Sequence, residues 1–71
     1  MILSDVDKRI LELLKSSKKP LSTYQIAKMA KITWPTANSH CYKLKSMNKI
    51  ESRQEKSKFG SREKVVWWIN E

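Results

Sequence analysis

Apolar residues return at helical spacing from the start of the chain, at Val6, Ile10, Leu13 and Leu14, with Leu11 beside them. Ser4 stands where a helix cap belongs, and Asp5 and Asp7 fall in the first turn, toward the positive end of the helix dipole. The pattern predicts a core helix that stops at Ser16-Ser17-Lys18-Lys19-Pro20, where the lysines suit the negative end and the proline forbids continuation. Leu21, alone between that proline and the next cap, predicts a short bridging strand. Ser22 and Gln25 have the spacing of a capping box, with Ile26, Ala27, Met29 and Ala30 behind them. This second helix is broken at Lys31-Ile32-Thr33-Trp34-Pro35.

A third helix follows, with Thr33 as cap and Pro35 in its first turn. Its buried stripe is Ala37, Cys41 and Leu44, Met47 closes it, and Asn48 supplies the left-handed stop. The period then shifts toward two. Residues 50–55 read as a polar edge strand, and the stretch from Lys56 to Ser61 as a hairpin tip holding the only glycine. Residues 62–70, rich in β-branched and aromatic side chains, read as the second strand of the hairpin. Alternation turns Val65, Trp67 and Ile69 inward and Val66 and Trp68 outward, so Trp68 is the apolar residue most expected at the surface.

Helix, short strand, helix, tight turn, helix and hairpin is the order of a winged helix, an α+β fold in which a three-helix helix-turn-helix core carries a C-terminal two-stranded wing. One such domain accounts for residues 1–71. The segment QIAKMAKITWPTANSHCYKLKSMNKIES resembles the winged helix-turn-helix regulators of the MarR/ArsR type, in small archaeal, viral and bacterial forms. Ala27 sits at that family's small contact position, Ile32-Thr33 at its Val-Ser pair and Pro35-Thr36 at its Pro-Thr. Cys41, Leu44, Met47, Asn48 and Ile50 continue the pattern. The chain departs from it at Lys31, where the family has its turn glycine, at Asn48, where it has a second glycine, and at Trp34, which replaces a frequent arginine. The long terminal helix that dimerises larger members is absent from the pattern. A thinner resemblance lies in Asn38, Tyr42 and Trp67, spaced like the trio that reads left-handed duplexes in Zalpha domains. The lysines flanking that family's recognition helix correspond to Trp34 and Pro35, and its wing prolines are missing.

Composition narrows the chemistry. Of the 71 residues, 39% are apolar, enough for one small core. One cysteine excludes an internal disulfide framework, and one cysteine with one histidine cannot make a structural zinc site. His40 and Cys41 are adjacent on a helix and point about 100° apart, so they do not chelate together. Cys41 reads as a small core residue, and His40 as a boundary residue beside the first helix. A single glycine excludes a phosphate-cradling loop, and the seven acids are scattered. The expectation is a protein that is not an enzyme, with no catalytic residues, metal or cofactor. No apolar run approaches a membrane span, so no membrane partner is expected and the location is read as cytoplasmic, with the nucleoid.

Charge points to the partner. Fifteen Lys and Arg against seven Asp and Glu give a formal charge of +8. Residues 21–50 hold Lys28, Lys31, Lys43, Lys45 and Lys49 and not one acid, which concentrates the field on part of the fold. Double-stranded DNA is the expected partner, with the third helix (about 34–47) in the major groove and the wing (about 56–62) on the backbone or minor groove. Thr36, Asn38, Ser39 and Tyr42 are the candidates for base readout. Ser22, Thr23, Lys28, Lys43, Lys45, Lys58 and Arg62 are those for backbone contacts. One domain offers few base contacts, so specificity calls for two copies at least on DNA, with the first helix or Trp68 as the dimer contact. The rival readings are a winged-helix protein-interaction module in a larger assembly and a Zalpha-like binder of Z-DNA or double-stranded RNA.

Overall fold

The computed structural model describes residues 3–56 and 63–70. In chain order it holds α1 (Asp5–Ser16), β1 (Leu21–Ser22), α2 (Thr23–Ala30), α3 (Trp34–Ser46), β2 (Ile50–Lys56) and β3 (Glu63–Ile69). The architecture is that of a winged helix. Lys56, expected at the hairpin tip, is instead the last residue of β2, and the rest of that tip, with Lys58 and Phe59, lies outside the described residues, as does Arg62.

Each helix start is locally encoded. Ser4 Oγ accepts from the Asp7 N–H while the Asp7 carboxylate accepts from the Ser4 N–H, a full capping box. Ser22 and Gln25 repeat the arrangement at α2. Thr33 Oγ1 accepts from the Thr36 N–H at α3, with proline in the first turn. The helix ends are equally specific. Lys31, following α2, adopts left-handed backbone (φ 59°, ψ 45°), and the Ile32 N–H closes onto the Ala27 carbonyl at 2.9 Å. Where the resembled family has glycine, this lysine accepts the steric cost of that conformation, about 1–2 kcal/mol. Asn48 takes the same region (φ 62°) at the end of α3, a position asparagine tolerates well.

The sheet order is β1-β3-β2, antiparallel throughout. The bridging strand expected at Leu21 pairs with the centre of β3, Leu21 opposite Trp67 and Ser22 opposite Val66. The other edge of β3 runs against β2 from Ile50 opposite Ile69 to Lys56 opposite Glu63. Ile10, Leu14, Ile26, Ala37, Cys41, Leu44, Ile50 and Trp67 form the core between helices and sheet. Trp67 is its largest wholly buried side chain, and Val65 and Ile69 pack beside it.

Two expectations on β3 are corrected. Val66 does not face solvent: it is buried, because its strand is the middle one, flanked by Ser22 and Arg53. Trp68 is only half-buried and does not stand out from the surface. It lines a groove with Leu14, Pro20 and Ile69, edged by Lys15, Lys18, Lys19 and Arg53. Among the described residues, the strongly exposed large apolar ones are Tyr24, Met29, Trp34 and Tyr42.

Candidate nucleic-acid interface

On α3 the stripe Ala37, Cys41 and Leu44 is buried as its spacing requires. The remaining faces carry Thr36 and Asn38, half-buried, and Ser39, Tyr42 and Ser46, exposed. The four candidates for base readout therefore lie on one helix, and all keep some exposure. The Thr36 hydroxyl accepts from that of Thr33 at 2.8 Å, and Ser46 Oγ donates to the Lys43 carbonyl.

The candidate backbone contacts fare differently. Lys28 is exposed on the last turn of α2. Lys45 is half-buried and donates to Ser52 Oγ on β2 at 2.8 Å. Ser22 and Thr23 are buried, and both hydroxyl oxygens already accept a bond: Ser22 Oγ from the Gln25 N–H as the α2 cap, Thr23 Oγ1 from the Trp67 indole N–H at 2.8 Å. Lys43 reaches inward, with its ammonium 2.7 Å from Asp7 Oδ2. Lys58 and Arg62 fall outside the described residues.

Asp7 stands in the first turn of α1, as its spacing from Ser4 predicts, but its burial is what sequence reasoning missed: it is wholly buried. Its Oδ1 lies 2.6 Å from His40 Nδ1, and its Oδ2 receives both Lys43 and the Ser4 N–H. Burial alone would raise its pKa. The hydrogen bonds from Lys43, His40 and Ser4 outweigh burial and hold the carboxyl well below its ordinary value of 3.8. An ionised carboxylate only accepts, so His40 Nδ1 is the donor in this pair. The signal was available: Asp7 sits three residues after its cap and three before Ile10, on the stripe that continues to Leu14.

Two other contacts fix the frame. Arg9 Nη1 donates to the Ala30 carbonyl at 2.9 Å, placing a cation on the C-terminal end of α2. Tyr42 meets Trp67 edge-on, with ring centroids 5.1 Å apart and planes at 88°. Cys41 is fully buried, which pushes its thiol up to about 12 and keeps it protonated and unreactive at neutral pH. Among the described residues no group of His, Cys, Asp and Glu could hold a metal ion, and no helix is long and apolar enough to cross a membrane.

Comparison with solved structures then bears on the architecture. The fold is shared with a known chain. A structure described as "Possible transcriptional regulator from Methanosarcina mazei Go1" superposes with a TM-score of 0.81 at 16% identity. The match covers 94% of this chain and 56% of that one, so this chain spans little more than half the length of its structural neighbour. No protein-family model matches the sequence, and no curated protein does. At that identity the likeness establishes the fold.

Proposed function

We propose that this chain is a sequence-specific double-stranded-DNA-binding protein, a small transcriptional regulator that presents α3 to the major groove. The observation that carries the reading is the composition of the α3 surface. Thr36, Asn38, Ser39 and Tyr42 occupy it above a stripe of Ala37, Cys41 and Leu44, inside a segment of thirty residues with five lysines and no acid. Small polar side chains are mediocre helix formers, whereas Asn, Ser and Thr are suited to base edges and phosphates. The regulator description of the structural neighbour supports the same reading. The wing would track the flanking backbone, Lys28 would meet phosphates, and the N-terminus of α2 would approach one. Two copies on a pseudo-palindrome would supply the base contacts that one domain lacks.

Anisotropy of a labelled mixed-sequence duplex across a salt series tests this directly. The expected result is a steep negative slope of log K against log salt, from release of several counterions. After selection of a preferred site, Asn38→Ala should reduce discrimination between that site and a random duplex by about 1–3 kcal/mol, with non-specific affinity unchanged. An equal loss on both duplexes would remove Asn38 from base readout, and no binding at low salt would sink the proposal.

The edge-on packing of Tyr42 against Trp67 favours one further reading, a duplex in left-handed form. Trp67 is wholly buried and its indole N–H is given to Thr23, so Tyr42 would carry the contact and Trp67 would only orient it. Conversion of the circular dichroism of an alternating dC–dG duplex on adding protein would establish it. An unchanged right-handed spectrum at saturation would exclude it.

A further inference from the structure

Tyr24, 64% exposed, and Trp34, 51% exposed, line one groove of about 350 Å³ with Ser22, Thr23, Lys64 and Val65. Tyr24 is the second residue of α2 and Trp34 the first of α3. Both rings thus stand at the N-terminal ends of the helix-turn-helix pair, where helix dipoles are positive, and neither helix has an acid in its first turn. Lys64 joins them from β3. The acid opposite it across the sheet, Glu55, is engaged by Arg53 at 3.3 Å.

The polar chemistry of this groove is restricted. Ser22 and Thr23 are buried, and their hydroxyl oxygens already accept from the Gln25 N–H and the Trp67 indole N–H. Two exposed aromatic rings, one with a phenol, and an ammonium remain, with no acid among the described lining residues. That set suits a flat, π-faced ligand linked to an anion, and the volume lies near the lower end of the range for small-ligand clefts, about 300–1,000 Å³. Phosphate contact alone does not account for two large exposed rings, because a phosphodiester gains little from an aromatic face. A base inside a duplex cannot offer its face, whereas an unpaired one can stack on tyrosine or tryptophan. A second copy of a chain with charge +8 is a poor occupant for a groove whose described residues bear a cation and no acid.

We propose that the Tyr24–Trp34 groove binds an unpaired nucleobase, stacked on these rings with its neighbouring phosphate against Lys64. The inference rests on the nucleic-acid reading above and deepens it. The protein would prefer duplexes carrying an extruded or unstacked base.

The test uses three labelled probes at one salt concentration: a perfect duplex of roughly 20 base pairs, the same duplex with one unpaired dT, and a single-stranded oligo-dT. The wild-type chain should bind the bulged duplex about tenfold more tightly than the perfect one, and bind oligo-dT measurably. Tyr24→Ala and Trp34→Ala should each abolish that preference while changing perfect-duplex affinity less than about twofold, and Trp34→Phe should retain part of it. Lys64→Ala should weaken the bulged complex more than the perfect one. Both rings are exposed, and urea titration of each variant confirms that it folds. Equal wild-type affinity for bulged and perfect duplexes, with a salt slope on both, would overturn this inference and leave the DNA reading standing. Preference surviving in both alanine variants would overturn it too. No binding to any probe at low salt would remove both.

Discussion

A carboxylate with no exposed surface ties together two residues of the helix proposed to read DNA. Asp7 accepts from His40 and Lys43 on α3 and from the first backbone N–H of its own capping box. Replacing it by Asn should destabilise the chain by about 3 kcal/mol in urea titration. The lower part of the range for broken buried pairs applies because Lys43 and His40 remain 33% and 25% exposed and can rehydrate. The pH dependence has a definite sign. Since the folded carboxyl titrates below 3.8, the unfolded chain binds the proton first, and stability falls as pH drops below about 4. Denaturation midpoints collected between pH 7 and 3 should show that fall in the wild type and a shallower one in Asp7→Asn. Lys43 follows from the same geometry: Lys43→Ala would remove an internal ion pair before it removed any phosphate contact. The caps, the buried stripe of α3 and the left-handed stop at Asn48 were all legible from residue type and spacing, because each is set within a few positions of chain. The partners of Asp7 lie 33 and 36 residues away, and no local rule connects them.

At the scale of elements, a buried polar tie between helices and sheet is the bond from the Trp67 indole to Thr23, joining β3 to the start of α2. Thr23→Val keeps the shape and removes the acceptor, leaving a buried N–H unpaired. It should cost about 1–3 kcal/mol, read as a thermal midpoint lower by several degrees. An unchanged midpoint would mean that the indole finds another acceptor. Strand periodicity identified β3 and turned Trp67 inward, and it mistook Val66 for a solvent-facing residue. Alternation assigns a side chain to a face of the sheet, but whether that face is covered depends on the neighbouring strands, here Ser22 and Arg53. The same limitation applies to Trp68, expected bare and instead set beside Leu14 and Pro20. Conversely, the exposure of Tyr24 and Trp34 had no periodic signature, since both stand at helix starts.

Over the whole molecule, a charge of +8 with an acid-free central segment sets a self-repulsion that the fold must withstand. In the absence of any ligand, raising ionic strength from about 0.01 M to 0.15 M should raise the thermal midpoint by a few degrees, as the Debye length shortens from about 30 to 8 Å. A midpoint that fell with salt would show that internal ion pairs such as Asp7–Lys43 outweigh the repulsion. The strand order carries a different consequence. The sheet's central strand is its last in sequence, so neither β1 nor β2 has a partner until residues 63–69 are present. Trp67, the largest core side chain, arrives with them. Until then the three helices can pack on one another but not on the sheet, so a nascent chain stopped before Glu63 would leave bare the side of the helical core that Trp67 covers and be open to capture by chaperones.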